Sequence, residues 1–225
     1  MDTLNMQNSD SFRINLRRDA AVYDIALNEA ALDSFDKYRE ILSEYNLRTN
    51  LVSKGDMDRF LEYHILDSLK IASCYDMAGV RRIMDFGSGA GLPGIPLAIA
   101  FPEIETVLVE SRNKRSEFLS AAVDFIPLPK TTVLSNRLET LGEDYNRSFD
   151  LVITRATFKL DKFFLSARRF ITPAGSLISI KGNDIEDEIV ALKKAAGAKL
   201  FNINISAPKE VLNVRSGNVV LISPK

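Results

Sequence analysis

Ile83-Met84-Asp85-Phe86-Gly87-Ser88-Gly89-Ala90-Gly91-Leu92-Pro93-Gly94 is the stretch that decides the fold. Its first four residues form a short run that reads as a buried strand. The glycines that end this run open a helix, so the loop occupies the position of a nucleotide-binding turn. Downstream the pattern alternates. Thr106 to Val109 is a β-branched run closed by Glu110, Asn113 to Phe125 is helical, and Thr131 to Leu134 is a short strand. Phe149 to Thr154 gives a fourth strand, Asp161 to Phe170 a helix, and Ser176 to Ile180 a fifth strand after a Pro173-Ala174-Gly175 turn. Strands that alternate with helices predict an α/β fold, with a mostly parallel sheet covered on both faces. Leu200 to Ser206 and Asn218 to Ile222 have no clear helix between them, which predicts an antiparallel pair at one edge.

Upstream of the loop the periodicity is helical. Between Ala21 and Tyr45 the residues Leu27, Ala31, Leu32, Phe35, Tyr38, Leu42 and Tyr45 recur at spacings near three and four. A second helix is expected from Asp58 through Phe60, Leu61, Ile65, Leu69 and Ala72, with Gly79 at its stop. The layout is thus a helical cap in residues 1–80 ahead of an α/β domain in residues 81–225, together one unit. A chain of 225 residues is near the size at which a single core suffices.

Composition excludes whole classes. With 46% hydrophobic and 26% charged residues the chain is neither disordered nor fibrous, and no window approaches the run needed to span a bilayer. Asp2, Asp10, Arg13, Arg17, Arg18 and Asp19 near the start do not read as a secretory signal. One cysteine, Cys74, permits neither an intrachain disulfide nor a cysteine metal cluster, so a cytoplasmic protein without a metal is expected. A net charge of −1 leaves nucleic-acid binding to a local patch.

Two ligands compete for the glycine loop. Gly89, Gly91 and Gly94 satisfy the G-x-G-x-x-G pattern, and Glu110 lies where a ribose-binding acid of a dinucleotide site is expected. Counted from the strand end at Gly87, however, the third glycine position is Leu92. Asp85 would also repel a pyrophosphate, whereas it suits a ligand carrying an amine or a sulfonium. S-adenosylmethionine is such a ligand, with Glu110 as acceptor for its ribose hydroxyls.

The same stretch, continued through Ile95-Pro96-Leu97-Ala98-Ile99, resembles the cofactor loop of the bacterial small-subunit (16S) ribosomal RNA guanine-N7 methyltransferases, also called glucose-inhibited division protein B. Tyr45-Asn46-Leu47-Arg48-Thr49-Asn50-Leu51 resembles an N-terminal element of that family, and His64-Ile65-Leu66-Asp67-Ser68-Leu69 its cap-helix motif. Further likenesses lie in Glu110-Ser111-Arg112-Asn113-Lys114-Arg115, Asn136-Arg137-Leu138-Glu139, Thr154-Arg155-Ala156 and Lys181-Gly182. Ala90 stands where the family usually has Pro, and Thr154 where Ser is common; the tail after Gly197 does not align. The resemblance implies a Rossmann-like S-adenosylmethionine-dependent methyltransferase. Gly87, Leu92, Leu138, Glu139 and Arg155 would contact the cofactor, Leu138 and Glu139 near the adenine, beside Asp85, Gly89, Gly91 and Glu110 from the loop reading. It also implies 16S rRNA or the small ribosomal subunit as partner, with the 530 loop as target; a monomer is expected.

Guanine N7 carries a lone pair and no proton, so its methylation needs positioning rather than a base. His64, Arg155 and Lys181 remain the candidates for direct catalytic roles, and Lys181 with nearby acids keeps a ribose 2′-oxygen target open. The same fold acting on a protein or metabolite, a nicotinamide oxidoreductase and a non-catalytic binding module are the other readings. Arg112, Lys114 and Arg115 are expected to meet RNA, with Lys159, Lys162, Arg168 and Arg169 as further cations beside the cleft. Phe163, Phe164 and Phe170 have core spacing.

Overall fold

A computed structural model describes residues 3–155, 158–196 and 200–225. Seven strands form one sheet in the order β3-β2-β1-β4-β5-β7-β6. They are β1 Arg82–Phe86, β2 Glu105–Val109, β3 Thr131–Leu134, β4 Phe149–Arg155, β5 Ile171–Lys181, β6 Phe201–Ser206 and β7 Asn218–Pro224. β1 to β5 pair in parallel, and β7 runs antiparallel to both β5 and β6. This is the α/β architecture expected, with the antiparallel edge where the tail pattern predicts it. The chain steps from β1 outward to β3 and returns beside β1 with β4, so the strand order reverses at β1 and β4. Ligands of open α/β sheets bind outside the strand ends at that switch point.

Alternate residues of each strand enter different cores, as the two-residue period requires. Ile83, Leu108, Leu151, Ile153 and Ile178 belong to one apolar cluster, while Met84, Val107, Val109, Val152 and Leu177 belong to the other. The helices are α1 Thr3–Ala20, α2 Glu29–Thr49, α3 Lys54–Met57, α4 Asp67–Leu69, α5 Gly94–Ala100, α6 Asn113–Phe125, α7 Leu160–Ala167 and α8 Glu186–Ala196. α7 and α8 supply Phe163, Phe164, Ile189 and Leu192 to the second cluster, and Phe163, Phe164 and Phe170 are core residues as their spacing predicts. The first cluster joins α5 and α6 to cap residues Leu16, Ala20, Phe35, Tyr38 and Leu42, so cap and sheet share one core.

Four local readings change. A further helix, α1, precedes the expected first cap helix: it packs Phe12, Leu16 and Ala20 at four-residue spacing, and Asp24 then turns at φ 61° before α2 starts. Asn28, whose side chain accepts the Ala31 N–H at 2.9 Å, caps α2 and fixes its start at Glu29 instead of Ala21. The expected single helix from Asp58 to Ala72 is a π-helical turn, Leu61–Leu66, followed by α4 and a 3₁₀ turn, Lys70–Ser73. Within it the buried Ser68 hydroxyl donates back to the His64 carbonyl at 2.6 Å, a bond that competes with regular helix geometry. Pro173-Ala174-Gly175 is no turn but part of β5, which starts at Ile171. The register slips there between Phe149 and Leu151, and Gly175 permits it because a Cβ would stand 2.8 Å from the Phe149 carbonyl oxygen. α8 was not foreseen, although Ile185, Ile189, Leu192 and Ala196 carry helical spacing between an acidic first turn and a basic last turn.

Candidate active site

The glycine loop spends its own amides. Gly87, Gly89 and Gly91 adopt φ of 71°, 58° and 85°, values that side-chain-bearing residues rarely take. The Gly87 and Ser88 N–H groups donate to the Val109 carbonyl, and those of Gly91 and Leu92 to the Ser88 carbonyl. Glu110 Oε2 accepts the Gly89 N–H at 3.0 Å and its Oε1 accepts the Arg112 N–H at 2.9 Å. Asp85 Oδ2 accepts the Gly94 N–H at 3.0 Å. A pyrophosphate loop must aim its amides outward, so this loop is not one. The nicotinamide reading loses its structural basis.

Two buried carboxylates instead flank the loop. Asp85 is fully buried, its Oδ1 has no hydrogen-bond partner among the described residues, and burial pushes its pKa up to about 7. An unpartnered carboxylate oxygen in that position suits a ligand with a cationic group. It sits beneath the loop, packed so closely that a Cβ on Gly94 would lie 2.7 Å from Oδ2. From the cap, the Tyr38 hydroxyl donates to the Ala90 carbonyl at 2.6 Å, so α2 holds the loop from outside.

The remaining expected cofactor residues spread around the same strand ends. Leu92 is buried behind the loop. Leu138 and Glu139 follow β3; Leu138 is buried, its side chain in the core with Phe86 and Val109, while Glu139 is exposed. Thr154 Oγ1 donates to the Phe86 carbonyl at 2.8 Å and ties the end of β4 to the end of β1. Ala156, the last residue of that motif, lies outside the described residues.

His64, Arg155 and Lys181 share one cleft of about 300 Å³, which Asp67 and Arg215 also line. Arg155 donates to the Tyr63 carbonyl at 3.1 Å and to Asp67 Oδ2 at 3.3 Å, and reaches His64 Nδ1 at 3.3 Å. Asp67 Oδ1 pairs with the buried Lys70 ammonium at 2.6 Å. Burial and then the Arg155 charge lower the His64 pKa to about 4, so the ring is neutral at pH 7. Lys181 pairs with Glu188 of α8 at 2.8 Å and donates to the Phe158 carbonyl. Sequence reasoning missed Phe158, whose ring stacks on Phe86 at 4.4 Å, and Arg215; neither falls within a recognisable motif.

Arg112 and Lys114 are exposed at the start of α6 and form no ion pair among the described residues. The Arg115 guanidinium lies against the loop, 3.5 Å from where a Gly89 Cβ would be. Arg169 is a structural residue rather than a free cation: it donates to the Leu138 and Leu141 carbonyls and to Asn146. Arg168 lies 5.5 Å over the Phe164 ring. Cys74 is half-buried, and burial pushes its thiol up. No described helix is long and apolar enough to cross a membrane.

Solved structures with this fold include the antibiotic-resistance methyltransferase Kmr, at TM-score 0.52 and 19% identity over 66% of this chain and 90% of that one. PigF with SAH is similar at TM-score 0.54 and 15% identity, covering 67% of this chain and 52% of that one. By sequence, the ribosomal RNA small subunit methyltransferase G of Nitrosococcus oceani is 37% identical over 177 residues, 79% of this chain and 80% of its own length. Its namesake from Bacillus subtilis is 33% identical over 185 residues, 80% and 77% of the two chains. A family model described as rRNA small subunit methyltransferase G matches residues 31–211, which include the glycine loop, both carboxylates and the His64–Arg155 pair. The motifs, the fold and these matches agree: the chain belongs to the GidB family of rRNA small subunit methyltransferases.

Proposed function

We propose that the protein methylates N7 of a guanine in the 530 loop of 16S rRNA, acting as a cytoplasmic monomer whose cap and sheet fold together. The cofactor of this family's reaction, S-adenosylmethionine, supplies a methyl group on an electrophilic sulfonium. Gly87, Gly89, Gly91 and Leu92 would back it, Asp85 would face its cationic portion, and Glu110, Leu138 and Glu139 would border the nucleoside. The donor set fits: acceptors dominate, one buried carboxylate oxygen lacks a partner, and the loop amides are not offered to phosphate. Arg155 borders this site and the adjoining cleft, where the target base would enter.

The observation that carries the N7 reading is the commitment of the cleft's three candidate side chains. His64 Nδ1 faces the Arg155 donors, Arg155 is bound to Asp67, and the Lys181 ammonium is bound by Glu188 and Phe158. None stands ready to take a proton, and N7 has none to give. Arg155, fixed on His64 and Asp67, orients the cleft rather than forking onto guanine O6 and N7, which would cover the nucleophile. Arg112, Lys114 and Arg115 would meet phosphates beside it. The single-turnover rate should therefore stay flat with pH between about 6.5 and 9. A rate that climbs about tenfold per unit would assign the reaction to a hydroxyl activated by a base instead.

A further inference from the structure

Behind the cleft lies a larger cavity that the reading above leaves unused. It has a volume of about 620 Å³ and lies between the cap and the segment 207–217 that links β6 to β7. Cap residues Tyr23 and Lys70 line it, each no more than 1% exposed, so they form its floor. The Tyr23 hydroxyl has no hydrogen-bond partner among the described residues. Arg215 and Ser216 belong to the walls of both this cavity and the cleft of His64, Arg155 and Lys181. The two spaces therefore meet at Arg215.

The linking segment is held at both ends. The Lys209 N–H donates to Ser73 Oγ at 3.2 Å, and the Lys209 ammonium pairs with Asp24. At the other end Gly217 packs on the Lys181 carbonyl so closely that no Cβ fits, and Asn218 Nδ2 donates to the Gly182 carbonyl at 3.2 Å. Between these anchors the Arg215 side chain is exposed and forms no ion pair among the described residues. On the rim Lys209 is paired with Asp24 and Glu210 adds a carboxylate, so Arg215 is the cation left for a ligand there. On the floor the Lys70 ammonium is held by Asp67 and the Tyr23 hydroxyl is unpaired among the described residues, and the volume falls within the range of small-molecule pockets, about 300–1,000 Å³.

We infer that this cavity receives the nucleotide adjacent to the target guanosine, with Arg215 on the phosphate that joins the two. This rests on the proposal that the guanine enters the cleft of His64, Arg155 and Lys181. An RNA methyltransferase that extracts one base from a folded RNA must also hold the strand on at least one side of it, and single-stranded RNA offers a phosphate and an unstacked base for that. Arg215 lies beyond residue 211, where the family match ends.

Two measurements test the inference. With 30S particles lacking the modification as substrate, Arg215→Gln should raise KM about tenfold, the scale of one charge-assisted hydrogen bond. It should also lower the salt slope of binding by about one, and S-adenosylhomocysteine affinity should not change. Arg215→Lys should recover most of the loss. Unchanged KM and salt slope would remove Arg215 from the phosphate. Separately, benzoylphenylalanine placed at Leu212, which lines the cavity and is 84% exposed, should cross-link the rRNA. Reverse-transcription stops should fall at the nucleotides immediately flanking the methylated guanosine. Stops elsewhere, or no cross-link, in a preparation that still methylates would overturn the subsite alone. Loss of the reading beneath it would show differently, as methyl label on another atom or on no rRNA nucleotide.

Discussion

The Arg155 guanidinium at the end of β4 reaches His64 Nδ1 of the cap through both of its terminal nitrogens, at 3.3 and 3.4 Å. An arginine only donates, so Nδ1 is the acceptor and the ring proton belongs on Nε2, an assignment made from the hydrogen-bond network. Through this contact and the 3.3 Å pair with Asp67, a strand residue locks the π-helical turn of the cap over the cleft. Arg155→Ala should therefore destabilise the protein by about 1–2 kcal/mol, because it removes the charge-assisted bonds to the Tyr63 carbonyl, His64 and Asp67 while Asp67, 3% exposed, keeps its pair with Lys70. Urea unfolding measures this. A loss below about 0.5 kcal/mol would mean that the contact is idle.

His64 and Asp85 should pull the pH dependence of stability in opposite directions. The folded His64 titrates near 4 and the unfolded one near 6.5, so between these values the unfolded chain binds more protons and stability rises with pH. The folded Asp85 titrates near 7 and the unfolded one near 3.8, so there the folded chain binds more protons and stability falls as pH rises. The two windows overlap, and each limiting slope is about 1.4 kcal/mol per pH unit, so they largely offset. Between pH of about 4.5 and 6.5, the stability of His64→Gln relative to the parent should fall with pH, and that of Asp85→Asn should rise. Parallel profiles for all three proteins would contradict both assignments.

Gly87→Asp should abolish S-adenosylhomocysteine binding in a protein that still folds. The φ of 71° at Gly87 disfavours any side chain, and a carboxylate there adds a second negative charge beside Asp85. Calorimetric titration of the variant decides it. Unchanged affinity would move the cofactor away from the loop.

What the sequence disclosed follows from how far each signal reaches. The β1–loop–α5 segment was legible because strand, glycines and helix are contiguous and each obeys local rules, and α6 and β3 matched their expected bounds for the same reason. The break in the cap was not, because the helical spacing of Ile65 and Leu69 persists through the π turn and carries no mark of it. Gly175 read as a turn because its neighbours are Pro173 and Ala174; only the nearby Phe149 carbonyl, 26 residues earlier in the chain, reveals a strand irregularity. The strand-end position of Glu110 is readable in the sequence, but the hold of its carboxylate on the Gly89 and Arg112 amides is an arrangement that spacing cannot convey. The pairing of Lys181 with Glu188 joins β5 to α8, a contact between elements that local spacing cannot convey.

The central claim is methyl transfer to guanine N7 of small-subunit rRNA, and nucleoside mass spectrometry tests it most directly. 30S particles from cells lacking the protein would be incubated with it and methyl-labelled S-adenosylmethionine, and the 16S rRNA digested and mapped. The account predicts label as N7-methylguanosine at a single position within the 530 loop. Label on a ribose 2′-oxygen, on another base atom, or on no rRNA nucleotide at all would contradict it.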